Sequence, residues 1–158
     1  AFNQPLSFDT SSVINMGYLF GQASVFNQPL SFDTSKATSI RDMFVGASAF
    51  NQPLYFDTSK VTNTRGMFYM ASAFNQPLDF DTASVTDMYA MFTDALAFNQ
   101  PLSFDTSSVT DMTHMFRGAN ALSADNKLLI RCAWAGTFAF ATNRGPGTDQ
   151  NWGLGSCR

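Results

Sequence analysis

Glutamate does not occur in this sequence, histidine occurs once, tryptophan twice and lysine three times; all twelve acidic residues are Asp. With no Glu, and with Lys only at 36, 60 and 127, the chain lacks the residues that fill long exposed helices. A helical bundle or coiled coil is therefore not expected. Clustered basic charge is missing too: nine Lys and Arg are scattered along a chain of net charge −3 and sequence pI near 4.7. No stripe neutralises phosphates, so nucleic acid is not an expected partner. No apolar run approaches the roughly 20 residues that span a bilayer, so no transmembrane segment is expected. The sequence opens at Ala1 with neither Met nor a charged-then-apolar leader, and reads as a soluble, processed or excised piece. What is present is 158 residues, 45% apolar and 13% charged, enough for one domain's core.

Phe-Asn-Gln-Pro-Leu begins at Phe2, Phe26, Phe50, Phe74 and Phe98, five copies 24 residues apart without insertion or deletion. Each is followed by a further Phe (8, 32, 56, 80, 104) and Asp-Thr, then by Val or Ala (13, 37, 61, 85, 109), and then by Met-Phe or Leu-Phe ending at Phe20, Phe44, Phe68, Phe92 and Phe116. A unit this short cannot enclose a core alone, so its apolar side chains must be covered by neighbouring copies. The expected fold is a repeat solenoid, leucine-rich-repeat-like or β-solenoid, over residues 1–120. Each of its five coils carries a short parallel strand at Val-Thr-x-Met and a single helical or 3₁₀ turn at Met-Phe-x-x-Ala. Seventeen Phe at mostly fixed positions predict aromatic stacks along the axis. Pro5, Pro29, Pro53, Pro77 and Pro101 place the Asn-Gln-Pro corner at a turn, where Asn3, Asn27, Asn51, Asn75 and Asn99 superpose as an amide ladder.

From residue 121 the period breaks, with Leu122 where a sixth Phe would stand. Residues 125–134 read as a short amphipathic helix, started by Ser123 or Asp125 and ended by Gly136. The tail beyond Phe138 and Phe140, through Gly145-Pro146-Gly147 to Trp152 and Cys157, completes a capping segment over 121–158 of the same domain. At the other end, entry at Phe2 is expected to expose one side of Phe2, Leu6, Phe8 and Phe20, a face to be covered by a further repeat, a second copy or another partner.

The unit Ala97 to Phe116, Ala-Phe-Asn-Gln-Pro-Leu-Ser-Phe-Asp-Thr-Ser-Ser-Val-Thr-Asp-Met-Thr-His-Met-Phe, resembles the bacterial surface protein (BspA-like) repeat family, a leucine-rich-repeat-like group also expanded in protists and microalgae. That family usually has Trp before Asp-Thr-Ser and a slightly longer repeat. All five copies here have Phe and 24 residues, as in a divergent branch. The resemblance implies an extracellular or surface-exposed scaffold for binding and adhesion, without enzymatic activity and without a catalytic residue to carry over.

Cys132 and Cys157 are the only cysteines and both fall in the cap. With no further Cys or His beside them zinc lacks ligands, and the expected state is a disulfide, with two buried thiols as the alternative. A disulfide points to an extracellular or cell-surface location or to an oxidising organelle lumen. His114, the one histidine, stands in a column that varies as Tyr18, Asp42, Gly66, Ala90 and His114, and is read as a solvated position rather than part of a nucleophilic system. Asp9, Asp33, Asp57, Asp81 and Asp105 form a column that would hold Ca²⁺ between coils, with help from Asp79, Asp87 and Asp111. The favoured reading is that each caps the Thr-Ser turn after it, so no cofactor or metal is expected. Ile14, Thr38, Thr62, Thr86 and Thr110 make an outward row of the kind that orders water, and ice binding is a minor alternative. The flanking hydroxyls Ser35, Ser59, Ser84 and Ser108 change register. Tyr18, Tyr55, Tyr69, Met70 and Tyr89 are the candidate protein-binding residues, since Tyr is favoured in interface hot spots. The expected function is thus a noncatalytic scaffold for protein binding or adhesion. The alternative is a structural subunit docked into a larger membrane-associated or surface assembly.

Overall fold

The structure, a computed structural model, describes residues 2–137 and Cys157. Phe138, Phe140, the Gly-Pro-Gly turn and Trp152 lie outside the described residues. Hydrogen bonds between residues 24 apart hold the units together. Thr38, Thr62, Thr86 and Thr110 each donate a backbone N–H to the equivalent carbonyl of the preceding unit at 2.8–2.9 Å. Single parallel bridges join Asn15, Ser39, Asn63, Asp87 and Asp111 in series.

The expected strand is one bridged residue long, and the bridged residue is the reason. Its side-chain oxygen turns back to accept the N–H two residues on: Gly17 at 2.8 Å for Asn15, Tyr89 at 2.9 Å for Asp87 and Thr113 at 2.9 Å for Asp111. This Asx-turn bends the chain directly after the bridge.

The Met-Phe-x-x-Ala stretch is not a helical or 3₁₀ turn among the described residues. Its amides alternate in destination. Met16, Tyr18, Phe20 and Gln22 donate to the carbonyls of Ser39, Arg41, Met43 and Val45 in the next unit, at 2.9, 3.0, 2.8 and 2.7 Å. The intervening amides bond three residues back, as Val45 does to Asp42 at 3.1 Å and Ala47 to Phe44 at 3.0 Å. This alternation requires left-handed backbone at two positions per unit. They are Tyr18, Asp42, Gly66, Ala90 and His114 at φ 54–64°, and Gln22, Gly46, Met70, Asp94 and Gly118 at φ 56–71°.

Three columns of Phe, at 20–116, 2–98 and 8–104, run through a core that also holds Met, Leu, Val and Ala. Rings 20, 44, 68, 92 and 116 lie 5.3–5.7 Å apart along one file. The adjacent file, starting with Phe2 and Phe26, has spacings of 6.1–6.3 Å. The two files zip together at 4.0–4.4 Å. Full burial of each ring contributes about 1.5–3 kcal/mol. At the corner the amide oxygens of Asn3, Asn27, Asn51 and Asn75 each accept the N–H of the next Asn at 2.8–2.9 Å. The following Gln amide also donates to it, Gln76 to Asn51 at 3.0 Å.

This register outlasts the sequence repeat. Leu122 is buried at the sixth Phe position, Ser123 donates its N–H to Asn99 Oδ1 at 2.9 Å, and Asn126 takes the place of Gln. Ser123 also accepts the N–H of Asn126 as N-cap of helix α1, Ala124–Ala133, and Gly136 beyond its end has φ 90°. Trp134, fully buried, closes two Phe files, 6.5 Å from Phe104 and 6.1 Å from Phe116. A disulfide joins Cys132 of α1 to Cys157, with Cα atoms 5.3 Å apart. In the first unit Phe2 and Phe8 are more than half exposed, but Phe20 is buried. Phe26 and Phe44 cover it from the second unit, so the expectation of an exposed Phe20 does not hold.

Candidate binding groove

The left-handed column positions the site. Because Asp42 and Ala90 turn there with buried side chains and Gly66 has none, they leave a floor running along the repeat direction. The residues just before and three after each turn rise beside it. They enclose a groove of about 370 Å³ lined by Arg41, Arg65, Tyr69, Met70, Tyr89 and Arg117, with Tyr18, Gln22 and His114 at its ends. The volume lies within the range of ligand sites.

Gly66 is required in this floor by the neighbouring carboxylate more than by its backbone, since Ala90 and His114 turn the same way. Its φ is 58°, and a Cβ there would collide with Asp42 Oδ1. The carboxylate of one unit thus occupies the space the next unit's glycine leaves. Asp42 Oδ2 accepts from Arg41 Nε at 2.8 Å, the one ion pair among the described residues. The Arg65 guanidinium lies over the Tyr89 ring, its Cζ 4.0 Å from the ring centre. The His114 ring meets Tyr89 edge-on at 5.7 Å.

Four of the five expected binding residues, Tyr18, Tyr69, Met70 and Tyr89, gather at this groove. Tyr55 does not: it lies in the column of Ser7, Ser31, Asp79 and Ser103 and is 86% exposed. His114 was expected at a solvated position and is half-buried in the groove lining. Its column varies because the backbone there needs a left-handed turn rather than one side chain. Sequence reasoning missed Arg41, Arg65 and Arg117. The available signal was that Arg41, Arg65 and Tyr89 are successive occupants of one column.

The other candidate columns are engaged within the fold. Asp9, Asp33, Asp57, Asp81 and Asp105 each accept the backbone N–H two residues on, at 2.8–3.1 Å. For Asp9, Asp33, Asp57 and Asp105, the serine hydroxyl and then the serine N–H hold the carboxyl below its ordinary value. Among the described residues no three His, Cys, Asp or Glu side chains gather as a metal-binding group. The row Thr38, Thr62, Thr86 and Thr110 is exposed, but its hydroxyls donate to carbonyls of the preceding unit at 3.0–3.4 Å, and Lys36 and Lys60 interrupt the adjoining hydroxyl row.

The chain belongs to the family described as Mycoplasma protein of unknown function, DUF285, whose model matches residues 1–55 and 55–131, through all five units and into α1. No curated protein and no solved structure matches it. No helix among the described residues is long and apolar enough to cross a membrane.

Proposed function

We propose that the chain is a noncatalytic solenoid of the BspA-like surface-repeat kind, placed outside the cell or in an oxidising lumen, that binds a protein partner along the groove. The observation that carries this reading is the convergence of Tyr18, Tyr69, Met70 and Tyr89 with Arg41, Arg65 and Arg117 on one concave surface. Tyr, Met and Arg are the residue types enriched in interface cores and hot spots. The Cys132–Cys157 disulfide supports the oxidising location.

Binding of the labelled chain to surfaces of its source cells tests this reading. Tyr89→Ala is expected to weaken it about tenfold or more, while Tyr55→Ala leaves it unchanged. Equal effects of the two substitutions would contradict the groove's role.

A further inference from the structure

Resting on the reading of the groove as a partner site, we infer that its ligand is an extended acidic peptide segment bearing an aromatic or apolar side chain. Its carboxylates would pair with Arg65 and Arg117, and its apolar side chain would rest on Met70 and Ala90.

Charge comes first. The chain has net charge −3 and six arginines, of which three line this one groove. The single carboxylate in the lining, Asp42, already accepts from Arg41. Arg65 and Arg117 thus give a local positive field on an acidic molecule, an arrangement that selects an anionic partner.

The kind of anion follows from what else lines the groove. Val45, Met70 and Ala90 add an apolar surface, and Tyr69 and Tyr89 add aromatic rings. A sulfated saccharide would pair with the arginines and leave that apolar surface without a complement; a peptide side chain fills it. The amides of Asp42, Gly66 and Ala90 are bonded to the next unit's carbonyls. A peptide therefore cannot add as a further strand, and must be read by the arginine, tyrosine and methionine side chains.

Length follows from the repeat. The groove runs from Tyr18 in the first unit to His114 in the fifth. At about 4.8 Å per bridged unit this is roughly 19 Å, the reach of about six extended residues. Arg65 and Arg117 are two units apart, about 10 Å along the repeat, which matches acidic side chains about three residues apart.

The test is fluorescence anisotropy with a labelled hexapeptide, Glu-Tyr-Glu-Glu-Tyr-Glu, against Lys-Tyr-Lys-Lys-Tyr-Lys and a heparin hexasaccharide, using the whole chain. The acidic peptide is expected to bind, and to weaken about tenfold with Arg65→Glu, with Arg117→Glu, and with added salt. Lys60→Glu changes the net charge equally outside the groove and should leave binding unchanged. Arg65→Gln, which keeps a long polar side chain, should weaken it less than Arg65→Glu, and thermal melts of each variant verify the fold. Failure of the acidic peptide to bind, preference for the lysine peptide, or equal weakening by Lys60→Glu overturns the inference. Binding of the saccharide alone, lost with Arg65→Glu, overturns the peptide while leaving the groove as a site. Loss of every interaction together with an inert Tyr89→Ala overturns the groove itself.

Discussion

Gly66 shows how one residue connects the repeat to the site. Its left-handed backbone costs a side-chain residue about 1–2 kcal/mol, and the space its Cβ would need holds the Asp42 carboxylate. Gly66→Ala is expected to destabilise the chain by about 2 kcal/mol or more in urea denaturation. In an Asp42→Gly background the collision is gone, and the same substitution should cost only about 1 kcal/mol. Equal costs in both backgrounds would mean that the two positions do not share that space. The serine-bonded carboxylates set an acid limit. Asp9, Asp33, Asp57 and Asp105 are held below the ordinary value of 3.8, so the unfolded chain binds their protons more readily than the folded one. Their stabilisation is complete above that value and is lost as pH falls through the lowered folded values. Urea midpoints should therefore stay level from neutral pH to about pH 4–5 and decline below it. In a carboxyl titration followed by NMR, Ser59→Ala should move Asp57 upward. An Asp57 that titrates identically with and without the Ser59 hydroxyl would contradict this.

At the scale of elements, the Phe files and the segment that closes them decide cooperativity. Trp134 at the end of α1 is to two files what the next unit's rings are to the others, since it lies over both Phe104 and Phe116. Trp134→Ala is expected to cost about 3–5 kcal/mol. Leu129→Ala, at a mostly exposed position on the same helix, should stay within about 0.5 kcal/mol. Similar costs at the two sites, measured by urea unfolding, would show that the helix does not close the files through Trp134. The cap was partly legible beforehand. Ser123 was one of two named caps, and its hydroxyl is the one that accepts the Asn126 amide. The continuation of the Asn ladder into Ser123 and Asn126 was not legible, because a backbone amide carries that register whatever the side chain. The expected strands shrank to single bridges for a reason present in the sequence: the x of Val-Thr-x-Met is Asn, Ser or Asp, the residues that bond their own backbone two residues on.

At the scale of the whole molecule, the period, the aromatic files and the corner amides could be read directly, because each depends on a residue type kept in register. The groove could not. Its floor needs φ near 60° and accepts Tyr, Asp, Gly, Ala and His in turn, so no residue type marks it. Its arginines stand 24 and 52 positions apart and join only when the units stack. Tyr55 was included with the other tyrosines because composition alone does not distinguish a position on another face. The groove therefore rests on the alternating amides that pass from one unit to the next and place the left-handed column in line. Hydrogen-bond scalar couplings between amide nitrogen and carbonyl carbon, measured by NMR on the isotopically labelled chain, test this most directly. Couplings are expected from Asp42 N to the Arg65 carbonyl carbon and from Phe44 N to that of Met67, with Val45 N coupled to Asp42. Couplings from Phe44 N to the Ile40 carbonyl carbon, the pattern of a helix, would contradict it.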